Sequence, residues 1–314
     1  MISVLCPVLN EEKYIENVLK HFIDTLPKEK ELFMIDGGST DRTLEIVRSW
    51  SEKYSNIFIL HNSDKYVSFA LNQGIKISKG DPIIRLDAHT VYDSNYYEEI
   101  LKTFKHTGAD IVGGPMRAIG NTSFQKAVAY CTSSVFGIGN SKIHSENYKG
   151  ETDHVYLGSW RRNLFNDVGY FDEQLKRNQD DEFHYRSKSK GKKIFLNPEI
   201  ISFYYPRSSI KSLINQYFQY GLYKPLVLWK VKSAVKVRHI IPSLFVLYLI
   251  SLYFLHMPYY FAVLILYIII LFYFSIRCKL GIWEILLSVL VYPTLHVSYG
   301  LGFCLGFGYL FLKK

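Results

Sequence analysis

Residues 239–314 contain only five charged side chains, Arg277, Lys279, Glu284, Lys313 and Lys314, and no other feature limits the possible folds of this chain so strongly. A helix crossing the hydrocarbon core of a bilayer needs ~20 mostly apolar residues. Ile240–Met257 and Tyr259–Ile276 are two such runs, separated by Pro258. Trp283–Leu312 is a third, interrupted by Pro293 and several glycines. The alternative is the core of a large soluble domain. Soluble helices alternate polar and apolar faces, however, and these runs do not. The third run reads as one long tilted span or as a span plus a re-entrant piece. The tail, residues 239–314, is therefore predicted to be a transmembrane region of two or three helices.

The remainder is an ordinary charged domain. The whole chain has 37 Lys+Arg and 28 Asp+Glu, and removing the tail's four basic and one acidic side chains leaves 33 and 27 for residues 1–238. The basic excess gathers beside the apolar runs. From Arg207 to Arg238 there are seven Lys/Arg and no Asp/Glu. Ile210, Leu213, Ile214, Tyr217 and Phe218 fall at i, i+3, i+4, i+7 and i+8, the stripe of an amphipathic helix. Residues 207–238 are thus expected to lie on anionic membrane lipids. No nucleic-acid-binding motif accompanies the charge, so nucleic acid is not expected as a partner. Lys224, Lys230, Lys232, Lys236 and Arg238 precede the first run, and Arg277 and Lys279 follow the second, which fits a hairpin with both ends cytosolic. Lys313 and Lys314 fit the same rule only if the third run does not cross. Met1–Leu9 is apolar but short and lacks a basic start, so it does not read as a signal peptide. The expectation is a multi-pass protein of the cell membrane with its large domain on the cytoplasmic face. Cys6, Cys131, Cys278 and Cys304 are too scattered for a disulfide framework or a zinc site.

The first hundred residues alternate short apolar runs with helical patterns. Strands are predicted over 2–8, 32–35, 57–60 and 82–86. Helices are predicted over 11–26, from a cap at Ser39 or Thr40 through Trp50, and over 68–77. This alternation implies an α/β fold with a mainly parallel sheet flanked by helices. Ligands of such sheets bind beyond the carboxyl ends of the strands. Pro7–Glu12, Asp36–Asp41 and Asp87-Ala88-His89 all fall at those ends and should converge on one cleft. Further strands are expected near 110–113, 193–196 and 200–204, with a short helix over 180–190.

Pro7-Val8-Leu9-Asn10-Glu11, the turn Asp36-Gly37-Gly38-Ser39-Thr40-Asp41, Ala70-Leu71-Asn72-Gln73-Gly74 and Asp87-Ala88-His89 together resemble family 2 glycosyltransferases of the GT-A fold over roughly residues 1–230. Arg85-Leu86-Asp87-Ala88-His89, Tyr156-Leu157-Gly158 and Arg177-Asn178-Gln179-Asp180-Asp181-Glu182 are similar, more narrowly, to succinoglycan-type membrane glycosyltransferases. The resemblance implies a GT-A nucleotide-diphospho-sugar transferase domain over 1–206. It also implies a UDP- or GDP-sugar donor and an inverting transfer in polysaccharide biosynthesis. The acceptor is expected to be a lipid-linked saccharide, because the basic segment would hold the cleft at the membrane. A polyprenyl-phosphate glycosyltransferase, a transferase acting on a protein or small molecule, and a non-catalytic nucleotide-sugar-binding protein are the alternatives.

By the same resemblance Asp36 accepts the base N–H of the nucleotide, and Pro7, Asn10, Glu11, Asp87 and Ala88 complete the donor pocket. A turn-forming Asp beside two glycines is the simpler account of Asp36. Asp87 and His89 stand two apart at a strand end, where both reach one divalent cation, Mn²⁺ or Mg²⁺; His89 in place of a second carboxylate favours Mn²⁺. The acidic cluster at 180–182 offers a base for the acceptor hydroxyl. Asp180 is chosen, with Asp181 as runner-up, although acidic residues also simply favour a helix N-terminus. Trp160 and Arg161 are expected to form an acceptor platform, an ordinary half-buried Trp being equally compatible. Gln216 aligns with the first residue of the Gln-x-x-Arg-Trp sequence of processive relatives, but Gln219 and Tyr220 replace Arg and Trp.

Overall fold

A computed structural model describes residues 1–255 and 258–312. Lys313, Lys314 and Met257, which entered the reading of the apolar runs, lie outside the described residues. The chain divides into two compact units, one of residues 1–117 and 142–204 and one of residues 118–141 and 205–314. The segment 118–141, read from sequence as part of the catalytic domain, thus groups with the C-terminal helices.

In the first unit, β1 (Ile2–Val8), α1 (Ile15–Asp24), β2 (Lys30–Asp36), α2 (Thr43–Ser51), β3 (Ile57–His61), α3 (Val67–Ile77) and β4 (Ile83–Arg85) alternate as the apolar pattern predicts. β5 (Thr90–Tyr92), α4 (Tyr96–Thr107), β6 (Ile111–Gly114) and β7 (Arg117–Ala118) follow. After the excursion to residue 141 come β8 (Gly150–Glu151), β9 (Tyr156–Trp160), α7 (Leu164–Val168), α8 (Gln179–Ser189), β10 (Ile194–Leu196) and β11 (Ser202–Tyr204). α5 (Ser123–Ser133) and α6 (Val135–Ile138) lie in the second unit.

The main sheet has the order β3-β2-β1-β4-β9-β6-β10-β8. β1, β2, β3 and β4 are mutually parallel, and β10 runs parallel to β6. β9 is antiparallel to both β4 and β6, and β8 to β10. β5 and β11 pair separately. From β1 the chain builds outward to β2 and β3, then returns to the other side of β1 for β4. That reversal opens a crevice beyond the carboxyl ends of β1 and β4. Pro7 marks it. Odd residues of β1 bond toward β4: the Ser3 amide donates to Pro82 O at 3.1 Å, and the Leu86 amide donates to Leu5 O at 2.8 Å. Pro7 faces the same side, past the last paired residue, Leu5, so its missing N–H costs no ladder bond.

One apolar layer packs Ile15, Val18, Leu19 and Phe22 of α1 and Tyr97, Ile100 and Phe104 of α4 on one face of the sheet. The other face carries Ala70, Leu71 and Ile75 of α3 and a cluster of Trp160, Phe165, Phe171 and Phe183. Gly74 lets α3 approach closely, since a Cβ there would stand 2.7 Å from Leu5 Cδ2 and 2.8 Å from Ile35 Cδ1. The cap of α2 differs from expectation. Arg42 is the N-cap and makes no side-chain cap bond; Asp41 before it accepts the Thr43 amide at 3.0 Å, while Ser39 and Thr40 bond Asn10.

The second unit is helical. α5 starts with a capping box between Thr122 and Gln125. α9 (Ile210–Lys230) carries the helix well beyond the stripe that ends at Phe218 and runs through Pro225. α10 (Val237–Phe254), α11 (Phe261–Ile276) and α12 (Ile282–Leu312) follow. α9 lies against α12 at glycines. A Cβ on Gly221 would meet Tyr299 O at 2.1 Å, and one on Gly302 would meet Phe218 O at 2.1 Å. α12 is one continuous helix through Pro293, so the third apolar run is not broken. Among the described residues two helices, Val237–Phe254 and Ile282–Gly308, are long and apolar enough to cross a membrane, and α11 is shorter. α10 leaves Ile241, Leu244, Leu247 and Ile250 exposed, and α11 leaves Val263, Ile265, Leu266 and Ile269 exposed. A soluble-core helix would cover such residues.

Candidate active site

The loops after β1, β2 and β4 are woven together by their own polar groups. Asn10 adopts a left-handed backbone, φ 58°. Its amide donates to Ser39 Oγ at 2.9 Å and its Oδ1 accepts the Thr40 amide at 2.8 Å. The Glu11 amide donates to Thr43 Oγ1 at 2.7 Å and the Glu12 amide to Asp41 Oδ2 at 3.1 Å. Asp36 is 2% exposed and accepts the Gly38 and Ser39 amides at 2.9 and 3.1 Å. It therefore does build the turn. The Ser39 amide also reaches Asp36 Oδ2 at 3.1 Å, so of a carboxylate's roughly four lone-pair positions about one is left for a further donor.

Residues two apart on a strand share a face. Arg85 and Asp87 do so at the end of β4, and the guanidinium is the hinge of the site. Nε donates to Asp87 Oδ1 at 2.8 Å and Nη2 to Asp87 Oδ2 at 3.3 Å. Nη1 donates to both oxygens of Asp180, at 2.9 and 2.7 Å. The Arg85 side chain is 8% exposed, against 20% for Asp87 and 34% for Asp180. Burial works against the guanidinium charge, but Asp180 and Asp87 more than offset it and push its pKa up, so Arg85 stays cationic. The backbone at Asp87 is pinned by Tyr92, whose hydroxyl accepts the Asp87 amide at 2.7 Å and donates to Asp87 O at 3.0 Å. Across the crevice, His89 Nδ1 lies 3.1 Å from Glu11 Oε1. Ala88, between Asp87 and His89 in sequence, is buried in the core.

The three acidic side chains opening α8 diverge. Asp180 goes to Arg85. Asp181 Oδ1 lies 3.4 Å from His154 Nδ1. Glu182 is buried and binds Arg186 Nε at 2.6 Å. His154 Nδ1 also lies 2.7 Å from His184 Nδ1. Burial, then the nearby His154, hold His184 well below the usual histidine range, so it is neutral. The start of α8 is tied down a second time by the loop before it. Asn72 Nδ2 donates to Phe171 O at 2.9 Å and to Glu173 Oε1 at 2.8 Å, and the Phe171 amide donates to Asn72 Oδ1 at 2.9 Å.

These loops present carboxylates and an imidazole at one sheet edge, around the cationic Arg85. The pattern of the family described as "Glycosyl transferase family 2" matches residues 3–169. The chain belongs to that family. Succinoglycan biosynthesis protein ExoA of Rhizobium meliloti (strain 1021) is 32% identical over 242 residues, 76% of this chain and 73% of that protein. A Methanococcus voltae relative, named dolichyl N-acetyl-alpha-D-glucosaminyl phosphate 3-beta-D-2,3-diacetamido-2,3-dideoxy-beta-D-glucuronosyltransferase, is 31% identical over 240 residues, 73% of this chain and 74% of that one. Among solved structures, the mannosyltransferase PcManGT from Pyrobaculum calidifontis, in complex with GDP-Man and Mn²⁺, superposes with a TM-score of 0.63 at 14% identity, covering 100% of this chain and 88% of that one. S. aureus TarS in complex with UDP-GlcNAc gives a TM-score of 0.56 at 18% identity, covering 95% and 91%. The glycosyltransferase therefore has the expected GT-A-like α/β fold.

The loops of this family 2 transferase bring Asn10, Glu11, Asp36, Asp87, His89, Asp180 and Asp181 to the carboxyl edge, with Pro7 at the crevice. Trp160 and Arg161 are a different matter. Trp160 is 0% exposed, edge-on to Phe165, Phe171 and Phe183. It has no free face for a sugar, and the acceptor-platform reading is corrected. The reason is the direction of β9. Trp160 pairs with Ile83 and Ile111, the first residues of β4 and β6, so it and Arg161 sit at the opposite edge from Asp87. There Arg161 lies over the Phe104 ring at 4.4 Å and 3.5 Å from Asp81. An open depression of about 650 Å³ lined by Asp81, Asp110 and Arg161 lies at that far edge and includes none of the carboxyl-edge residues. Gln216 belongs to the second unit, where its Nε2 donates to the Tyr220 hydroxyl at 3.0 Å. Sequence reasoning assigned no role to Arg85, Tyr92, His154 or Asn72. Arg85 carried a signal: a charge inside the apolar run 82–86 must be buried with a partner.

The donor types at this edge are those that a divalent cation takes. Asp87, His89 and Glu11 supply carboxylate and imidazole donors from both sides of one crevice, a mixed set compatible with Mn²⁺. Among the described residues no group of three or more such side chains is already gathered as a metal site, so further ligands would come from the nucleotide.

Proposed function

We propose that this transferase moves a sugar, with inversion, from a UDP- or GDP-sugar to a lipid-linked saccharide at the cytoplasmic membrane face, in the assembly of a cell-surface polysaccharide. The observation that carries the reading is the meeting of Asp87 and Asp180 at Arg85, which supports taking them as the donor-side and acceptor-side carboxylates of one cleft. Asp36 and the loop of Pro7, Asn10 and Glu11 receive the nucleoside. Asp87, His89 and Glu11 hold a Mn²⁺ or Mg²⁺ ion, which when bound neutralises charge on the departing diphosphate. Asp180 accepts the proton of the attacking hydroxyl, and Asp181 is turned aside toward His154. The relatives support donor and pathway: one is named for succinoglycan biosynthesis, and solved neighbours are described with GDP-Man or UDP-GlcNAc. The M. voltae relative is named for a dolichyl sugar phosphate, which supports a lipid-linked acceptor. The exposed apolar helices α10 and α11, with the basic segment 207–238, support a membrane-anchored protein.

The test is donor turnover in purified membranes. A panel of radiolabelled UDP- and GDP-sugars is offered with Mn²⁺ and either a lipid-linked oligosaccharide fraction or polyprenyl phosphate, using wild type beside Asp87→Asn. Label entering the oligosaccharide-lipid only with wild type supports the proposal. Label entering polyprenyl phosphate instead replaces the acceptor class, and donor binding without turnover on either acceptor overturns the catalytic reading.

A further inference from the structure

Arg85 spans the two halves of the site, and the reaction outlined above does not require it to. Its buried guanidinium faces both oxygens of Asp87 and both oxygens of Asp180. Asp87 has only those two oxygens to offer a cation. A divalent ion approaching Asp87 therefore meets a fixed positive charge that already holds its ligand, and like charges a few ångströms apart repel strongly in a partly buried site. A cation that arrives with a nucleoside diphosphate brings negative charge to the same place, and the repulsion is offset.

We propose that Arg85 is a positioning latch: without donor it holds Asp87 in place of a cation, and through Asp180 it couples the acceptor-side base to the filling of the donor site. The inference rests on the reading of Asp87 as a cation ligand and Asp180 as the base. Two consequences follow from the geometry. The cation enters with the nucleotide or after it, not before. Once Asp87 turns to the cation, the guanidinium is no longer shared and its Nη1 fork fixes Asp180 alone. A merely structural role, neutralising buried carboxylates so that β4 and α8 pack, makes the opposite statement about metal affinity. Removing the arginine would then loosen the loop and weaken cation binding. The latch requires that removing it strengthen binding.

The experiment uses the full chain in detergent or nanodiscs and measures Mn²⁺ affinity by electron paramagnetic resonance, with and without UDP or GDP. Wild type, Arg85→Gln, Arg85→Lys and the double variant Arg85→Gln with Asp87→Asn are compared. Arg85→Gln is expected to bind Mn²⁺ alone about tenfold more tightly than wild type, from removal of one neighbouring charge. The gain should vanish in the double variant and shrink when nucleotide is present. Arg85→Lys keeps the charge but cannot fork between two carboxylates. It should bind Mn²⁺ alone as weakly as wild type while kcat falls by about tenfold or more and donor KM changes little. Equal or weaker Mn²⁺ binding by Arg85→Gln overturns the latch. If that variant does not fold, Arg85→Lys decides the matter, and an unchanged kcat overturns the latch. Wild type that binds nucleotide but no Mn²⁺, even together, overturns the cation reading of Asp87 and the latch with it, an outcome separate from every Arg85 arm.

Discussion

Replacing Asp180 by Asn tests the assignment of the base with little change of shape. Asp180 accepts two contacts from a single nitrogen, Arg85 Nη1, at 2.7 and 2.9 Å. The amide oxygen of Asn can still accept from that nitrogen, and Arg85 keeps Asp87 at 2.8 Å, so no buried charge is orphaned. A hydrogen bond between charged groups contributes about 1.5–3 kcal/mol, and part of it survives, so the loss of stability should be about 1–2 kcal/mol. For a unit of this size that is about 2–8 °C in thermal midpoint. The loss of rate should be larger. A positioned general base contributes about 10²–10⁴-fold, which is about 3–5 kcal/mol of barrier. The assay is initial transfer rate to lipid acceptor at saturating donor, with donor affinity measured separately by calorimetry. Asp180→Asn should lose kcat by about 10²-fold or more with donor affinity nearly unchanged. Asp181→Asn, whose partner is His154 at 3.4 Å, should lose far less. If Asp180→Asn keeps more than about a tenth of wild-type kcat, the loss is below what a general base supplies and the assignment is wrong. If Asp181→Asn loses more than Asp180→Asn, the base is Asp181.

Gly114→Ala should cost about 2–3 kcal/mol or prevent folding, because the new Cβ would stand 2.0 Å from Ile200 O, a backbone atom that cannot swing away. Gly108→Ala, with open space but φ +61°, should cost only about 1 kcal/mol, and urea unfolding compares the two. His21 gives a pH dependence. Burial first, and then the Lys30 charge, bring its pKa down to about 4. The unfolded chain therefore binds a proton that the folded chain refuses. Stability is complete above about pH 6.5 and falls as pH drops toward about 4, by on the order of 3 kcal/mol, and His21→Gln should flatten that slope in urea midpoints. Asn72→Ala leaves the buried Phe171 amide and carbonyl without their partner, at about 1–3 kcal/mol for each group. Because that loop leads into α8, kcat should fall while the donor KM holds, and an unchanged kcat would detach Asn72 from the site.

The sheet edge was readable because its parts are local. Each of 2–8, 32–35, 57–60 and 82–86 is an apolar run ending in a polar turn, and in parallel strands those turns share an edge whatever the pairing. The direction of β9 is not local. It enters between β4 and β6 against their sense, and that insertion sends Trp160 to the far edge. No periodicity in 156–160 announces which way the strand runs. The partners of the acidic cluster were hidden for the same reason. Arg85 and Asp180 are 95 residues apart, and His154 and Asp181 meet only because β9 begins at the carboxyl edge. In the second unit the stripe over 210–218 is helical, as its spacing implies, and the helix runs on through Pro225. The helix continues because α12 packs along it at Gly221, Gly302 and Gly306, and neighbouring helices sustain a proline that an isolated helix would not.

The weak element in this arrangement is α8, and its weakness explains the polar anchors around it. Its buried set includes Gln179, Glu182, His184 and Ser187 beside Phe183 and Tyr185, so apolar burial alone does not dictate where its first turn lies. Asn178, entering it, has φ 61°, a strained choice for a residue with a side chain. Hydrophobic packing tolerates sliding, whereas a charge-assisted contact and an amide clamp resist it. Asn72 fixes the loop at 171–173, and Arg85 fixes the carboxylate at 180. Both anchors lie on elements of the parallel sheet layer, α3 and β4, which also carry the donor edge. The position of the Asp180 carboxylate is thus set by the same rigid elements that set Asp87. The proposed single displacement needs that relation, since base and leaving diphosphate must hold a constant separation across the sugar.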